Sequence, residues 1–521
     1  MSETRVCKTC RRELPLIKFE RQGRNRSLRR LSCARCRGSK QRRSKPVEEY
    51  EGEQRRFTRP LNAQRYLITS AQNETPVDEK FFKALLVAAK HIDAELVVIP
   101  FRYKNPTSLF STRGETWAPE VQPYLHNTRK KLAPHLVLAA DVKTQPTASQ
   151  PLSGFESMTG AESTIIGHPK MQLRTVAAPT GQRAKILTTT GACTRKNYTD
   201  SKAGKLGAFH HFLGAIIVEI DGSDFHLRQL NADRKTGSFI DCDKLFTPSG
   251  VRPAPPALGL VMGDTHARFC SKKVDRATFG PGGIVEVLKP REKVWHDLLD
   301  GVTVNPHHIG DPFVAQAKLR GRMTDVRAEV EHAVKFVADR GGGVIVPSNH
   351  DNFLARWVKS TDWRQNPGNA EFYLETAQAM LKSCKMTEGG ASYEDPFCYW
   401  VDKLKGNAPI VALKRNQSFK LDDIECSLHG DRGPNGAKGT LKNLSRIGCR
   451  VIVGHSHSPG IEEGGYQCGT STPLRLDYNT GPSSWAACHC VVYANGKRSL
   501  IFIVGDRWRA APPTPANKKA A

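Results

Sequence analysis

No stretch of the 521-residue chain approaches the roughly 18 consecutive apolar residues of a membrane-spanning helix. The N-terminal MSETRVCKTCRREL also lacks the apolar core of a secretory signal. Together these absences lead us to expect a cytoplasmic protein with no membrane partner. Acidic residues are scarce, 51 Asp and Glu against 78 Lys and Arg, which leaves a net charge of +27 at pH 7. Hydrophobic residues at 39% and charged residues at 25% exclude a collagen, a fibre and a largely disordered chain, and the length suits about three globular units. In a reducing compartment the 14 cysteines are thiols or metal ligands rather than a disulfide framework.

The surplus of positive charge points to a polyanionic partner, with nucleic acid ahead of an acidic membrane surface. It is concentrated at the N-terminus, where residues 1–45 carry 16 Lys or Arg against Glu3, Glu13 and Glu20, a local charge of +13. Within that segment Cys7-x2-Cys10 and Cys33-x2-Cys36 have the spacing of two zinc knuckles, so residues 1–45 are expected to form a basic ribbon around one structural Zn²⁺. So short a segment buries little apolar surface, and metal binding would supply most of its folding free energy. Its arginines suit either phosphate contact or docking of a protein partner.

Residues 46–60 change sign and read as a linker. Next comes RYLITSA at 65–71, an apolar run, followed by Thr75-Pro76-Val77-Asp78 as an expected helix start and ELVVIP at 95–100 as a second strand, together a βαβ unit. HLVLAA at 135–140, KILTTTGA at 185–192 and GAIIVEI at 214–220 are further strands, so residues 61–250 are expected to form an α/β domain of unknown role. Neither GxGxxG nor GxxxxGK[ST] occurs at its βα turn, which gives no basis for a nucleotide-binding loop. His210, His211 and Glu219 receive no role. SGVRPAPPA at 249–257 marks the next boundary, and the polar, proline-rich residues 509–521 are expected to be a disordered tail.

From residue 258 onward apolar strands run directly into acid and histidine clusters, the pattern by which an α/β fold places ligands at the carboxyl ends of its strands. The five blocks are LGLVMGDTH with Asp264 and His266, KVWHDLLD with Asp297 and Asp300, GGVIVPSNHD with Asn349, His350 and Asp351, FKLDDIECSLHGD with His429 and Asp431, and RVIVGHSHSP with His455 and His457. Carboxylate, imidazole and amide donors without thiolates suit a catalytic pair of divalent cations, and a carboxylate can bridge two ions where an imidazole serves one.

The order DxH, D, NH[DE], H, GHxH resembles the calcineurin-like metallophosphoesterase superfamily over residues 255–508, about half the chain, and within it the DNA-repair exonuclease branch and phage-encoded members. The resemblance implies a two-sheet α/β/β/α sandwich and two divalent ions, Mn²⁺ ahead of Fe, Zn²⁺ or Mg²⁺. One ion would sit on Asp264, His266 and His457, the other on Asn349, His429 and His455, with Asp297 bridging. His350 would act on the transition state or the leaving oxygen. The implied chemistry is hydrolysis of a phosphate ester by a two-metal-activated water. His296 and Ser348 stand where the superfamily usually has glycine. His307 and His308 match no motif and are expected in a loop.

The helices expected between blocks three and four sit where a lid would, with Arg356, Trp357, Trp363 and Arg364 combining cations and aromatics. Arg356, Arg432 and Lys438 are the candidate substrate contacts. These features favour a nuclease acting on nucleic acid, DNA ahead of RNA, in the host cytoplasm if the protein is phage-encoded. The alternatives are a phosphomonoesterase for nucleotides or phosphoproteins, and a nucleic-acid-binding protein with an inactive hydrolase domain.

Overall fold

The computed structural model describes residues 3–8, 10–19, 21–22, 25–29, 31–34, 57–103 and 116–511. Cys36, most of the expected linker and residues 512–521 of the expected tail lie outside them. The chain divides into two compact units, Met1–Arg56 and Phe57–Ala521, and the fold is mixed α/β. No helix among the described residues is long and apolar enough to cross a membrane.

In the first unit Thr4–Val6 pairs antiparallel with Glu13–Pro15, and Arg21–Gln22 with Asn25–Arg29. Between the first two strands the backbone folds back on itself, with Cys7 N donating to Arg12 O and Arg11 N donating to Cys7 O, both at 2.9 Å, and Arg11 taking a left-handed φ of 58°.

The second unit is organised around two large sheets. The six-stranded sheet runs Ile410–Ala412, Gly343–Ile345, Glu292–Trp295, Gly259–Val261, Cys488–Val492, Arg498–Phe502, with the first four strands mutually parallel. They are short, and their buried positions, among them Leu260, Val261, Val294, Trp295, Val344, Ile345 and Ile410, are apolar. The ten-stranded sheet includes Ile424–Glu425, Arg450–Val453, Gly465–Gln467 and Gly460–Glu462, then Leu173–Val176, Lys185–Thr189, Ser163–Ile166, Leu136–Ala139 and Arg129–Ala133. Val261, Val294, Val346, Ile424, Ile452, Cys468 and Cys490 share one buried core between these sheets.

The expected boundary near residue 250 does not separate two sheets. Leu173 pairs with Ile461 across the ten-stranded sheet, so strands from 129–189 complete a layer begun by strands from 420–467. The expected βαβ unit is present in a separate four-stranded sheet, where Arg65–Gln72 pairs parallel with Glu95–Phe101 and the helix Glu79–His91 connects them. That helix starts later than Thr75 as cap would place it. Asp78 is the N-cap and accepts from Phe81 N at 3.0 Å, whereas Thr75 Oγ1 donates to Asn73 O.

The helices between blocks three and four form part of the core rather than a lid. Phe353, Leu354 and Trp357 of Asn352–Ser360, Phe372 and Tyr373 of Ala370–Ser383, and Phe397 and Trp400 of Pro396–Leu404 pack in one cluster with Trp295 and Ile345 of the six-stranded sheet.

Candidate metal centre

Parallel strands deliver the ligand-type residues from their carboxyl ends. Gly259–Val261 leads to Asp264 and His266, Glu292–Trp295 to Asp297, and Gly343–Ile345 to Asn349 and His350. From the other sheet Ile424–Glu425 leads to His429 and Arg450–Val453 to His455 and His457. The turns are tight. His266, Asp297, His455 and His457 have positive φ of 42°, 47°, 73° and 58°, a conformation that costs non-glycine residues about 1–3 kcal/mol each and that collects at functional sites. Gly454 is needed for a different reason: a Cβ there would collide with Asp264 Oδ1 and crowd His296.

The side chains converge. His457 Nε2 lies 3.0 Å from Asp264 Oδ2 and 3.3 Å from His266 Nε2. Asp297 Oδ2 lies 3.4 Å from His266 Nε2, 3.7 Å from His429 Nε2 and 4.0 Å from His350 Nε2, so this carboxylate stands between the two expected ligand groups. His429 Nε2 is 3.2 Å from Asn349 Oδ1, and the His429 and His455 rings are 5.1 Å apart. Two triads have all their donor atoms within 4.8 Å of one another, His266 with Asp297 and His350, and Asp264 with Asp297 and His429. The first places His350 beside the ligands, closer than its expected role requires.

Charge in this pocket is arranged for cations. Asp264 and Asp297 are buried, and among the described residues neither has a Lys or Arg within ion-pair distance. Asp264 Oδ1 and Asp297 Oδ1 lack a hydrogen bond. Burial disfavours their ionised forms, yet the neighbouring histidines outweigh it and hold both carboxyls below the ordinary carboxylate range. The same attraction works in reverse at His266, where burial opposes the charge but Asp297 and Asp300 raise the imidazole to about 9. Orphaned buried oxygens facing converging imidazoles fit a pair of divalent cations.

The two missing glycines are replaced in different ways. Ser348 Oγ accepts from Asp351 N and Asp351 Oδ2 accepts from Ser348 N, both at 3.1 Å, a reciprocal turn that needs no glycine. His296 is buried with its ring 5.6 Å from His429, and neither of its nitrogens has a hydrogen-bond partner.

Sequence reasoning gave no role to Asp300 or Asp351. Asp300 Oδ1 lies 3.1 Å from His266 Nδ1, and its carbonyl oxygen lies 2.8 Å from His350 Nδ1. Asp351 Oδ1 accepts from Leu299 N at 3.1 Å and so ties the Asn349 turn to the Asp297 turn, while burial and the Asp297 charge push its carboxyl up to about 7. Their signal was position, three residues after Asp297 and two after Asn349. His489 carried no such signal: it accepts from Gly263 N at 2.9 Å and steadies the Asp264 turn from behind.

Beside the ligands opens a cleft of about 430 Å³ lined by Arg356, Arg415, Arg432, Tyr478, Asn349 and His350. Two of the three candidate substrate contacts are therefore present, while Lys438 is exposed and does not line the cleft. Arg415, unremarked in the sequence, grips Asp431 through two bonds of 2.8 and 2.9 Å. His307 and His308, expected in a loop, close a one-turn 3-10 helix, Pro306–His308, and stand in the cleft wall. Trp357 is in the core against Tyr373, and Arg364 pairs with Asp362, so neither faces the cleft. His211 is a satisfied core histidine, bonded to Tyr198 OH and Thr194 O, and Glu219 pairs with Arg228.

In the first unit Cys7, Cys10 and Cys33 bring their sulfurs within 4.8 Å of one another, with Cys7 and Cys33 buried. Cys33 N donates to Cys7 Sγ at 3.2 Å. Three thiols so placed can hold a metal ion.

No protein-family profile matches the chain. No solved structure matches it. Protein A1 of Escherichia phage T5 is 32% identical over 483 residues, a match covering 88% of this chain and 84% of that protein. On this likeness the chain belongs to the family of phage T5 Protein A1.

Proposed function

We propose that the chain is a divalent-metal-dependent phosphoesterase that cleaves nucleic-acid phosphodiesters. The observation that carries the proposal is the convergence of six Asn and His side chains around two buried carboxylates, Asp264 and Asp297, that among the described residues have no Lys or Arg within ion-pair distance. Asp264, His266 and His457 would hold one ion and Asn349, His429 and His455 the other, with Asp297 between them. When bound, the ions would supply Lewis acidity, lowering the pKa of a water and neutralising phosphate oxygens.

The chain's own groups do the rest. His350 Nδ1 lies 2.8 Å from the Asp300 carbonyl, which can only accept, so Nδ1 must carry the proton that it donates there. That leaves Nε2, on the Asp297 side, to hold or release a proton at the leaving oxygen. Arg356 and Arg432 line the approach and offset phosphate charge, while Arg415 is engaged by Asp431 and orders the cleft wall. A net charge of +27 and a basic N-terminal segment favour a polymeric substrate over a small monoester.

The proposal is tested by incubating the purified protein with Mn²⁺ and duplex DNA, single-stranded DNA, RNA or an aryl phosphate monoester. Cleavage of a nucleic acid supports it. Hydrolysis of the monoester alone assigns a phosphatase instead.

A further inference from the structure

A second cleft, of about 840 Å³, lies against the opposite end of the strand that delivers His455 and His457. Arg450 begins that strand and lines this cleft, while His455 follows its last residue. At about 3.3 Å per residue the two sites are on the order of 15 Å apart. Six cations line the cleft: Lys170, Arg234, Lys420, Arg450, Lys497 and Arg498. Its two carboxylates are already engaged, Asp423 by Arg450 and Glu463 by Arg446 at 3.0 Å with Lys170 at 3.8 Å.

Four cations are left over. Among the described residues, Arg234, Lys420, Lys497 and Arg498 have no carboxylate within ion-pair distance. Arg498 is buried, held by Val451 O at 2.9 Å and by the Tyr466 ring with its guanidinium carbon 4.2 Å from the centroid. Arg234 donates to His211 O at 2.8 Å. Burial, reinforced by Arg450, Arg234 and Arg498 and opposed by Asp233, lowers the Lys497 ammonium below its ordinary value, the mark of like charges held together. Such a cluster stabilises no fold by itself and becomes favourable when an anion enters it. Phe209, 75% exposed, stands on the same wall, and a bare aromatic beside a row of cations is the pairing that holds bases and phosphates of an unpaired strand.

We propose that this cleft binds single-stranded nucleic acid, its phosphates on Arg234, Lys420, Lys497 and Arg498 and a base stacked on Phe209. It is a holding site, separate from the metal centre and independent of bound metal.

The test uses the full chain in EDTA, so that nothing is cleaved, and follows the anisotropy of a short labelled oligothymidylate at several salt concentrations. Arg234 and Lys420 are both exposed, so the Arg234→Glu/Lys420→Glu variant should keep its melting temperature. Its affinity should fall at least tenfold, and its log–log salt slope should lessen by about 1.4, at about 0.7 per lost single-strand contact. Phe209→Ala should weaken binding about tenfold with the slope unchanged, because stacking releases no counterions. Unchanged affinity and slope in the charge-reversed protein would overturn the proposal. So would equal loss of binding to polyglutamate, which would make the cleft an acidic-protein site. A chain that binds in this way but cleaves no phosphodiester keeps the cleft and loses the enzymatic reading.

Discussion

Asp297 is the residue on which the candidate metal centre turns, because its Oδ2 lies within 4.0 Å of three imidazoles from three different turns. Asp297→Asn removes the charge where two cations would sit closest, and hydrolysis should fall at least a hundredfold while the melting temperature changes little. Full activity at saturating Mn²⁺ would take Asp297 out of the bridge. His350→Ala should lower kcat about 10² to 10⁴-fold, the usual worth of a positioned acid or base, with metal content unchanged. Loss of metal on equilibrium dialysis would make His350 a ligand, as its place in a triad with His266 and Asp297 allows. At this scale the sequence was informative because each candidate ligand follows the end of a short strand within five residues. His489 was not recognisable, since its work is done through a backbone amide of a turn distant in sequence.

Among the elements, the turn after Arg450–Val453 is tightly constrained. Gly454→Ala should displace the Asp264 carboxylate and cost both metal affinity and about 1–3 kcal/mol of stability, the range for overpacking a tight site. A variant that binds metal and melts like the parent would show that the turn can yield. The hairpin Gly214–Asp221 and Asp224–Asn231 carries a different constraint, the buried Arg228 held by Glu219 at 2.9 Å and Asp241 at 2.7 Å. Burial opposes the Glu219 charge, but Arg228 prevails and lowers its pKa. A depressed carboxyl contributes stability that is present above its unfolded pKa of about 4.3 and lost as pH falls through the folded value. Melting temperature should therefore drop on acidification below about pH 4.3, and Glu219→Gln should start lower at pH 7 and lose less. An identical acid slope in the variant would show that Glu219 is not part of that linkage. Element types were legible from apolar runs and caps, but partners were not. Thr175 bonds Pro459 across 284 residues of sequence, and no local pattern announces which sheet a strand will join.

For the molecule as a whole, the uneven charge separates two jobs. Residues 1–45 carry +13 of the +27 and none of the metal-ligand blocks of the second unit. Deleting them should weaken binding to long duplex DNA and flatten its salt dependence by about 0.9 in log–log slope per lost phosphate contact, with hydrolysis of a small phosphodiester retained. Unchanged affinity and slope would make those arginines a solvated or protein-docking face. The basic first segment and the catalytic-type blocks were legible because charge and ligand spacing are local properties. The shared ten-stranded sheet was hidden because it is a property of the folded whole. The most direct test of the proposed metal-dependent phosphodiesterase site is a titration of metal-stripped protein with Mn²⁺, following cleavage of a labelled DNA. The rate should rise from zero to a plateau as the two catalytic ions bind, and Asp297→Asn should stay flat throughout. Cleavage that ignores Mn²⁺, or that survives in Asp297→Asn, would contradict the account.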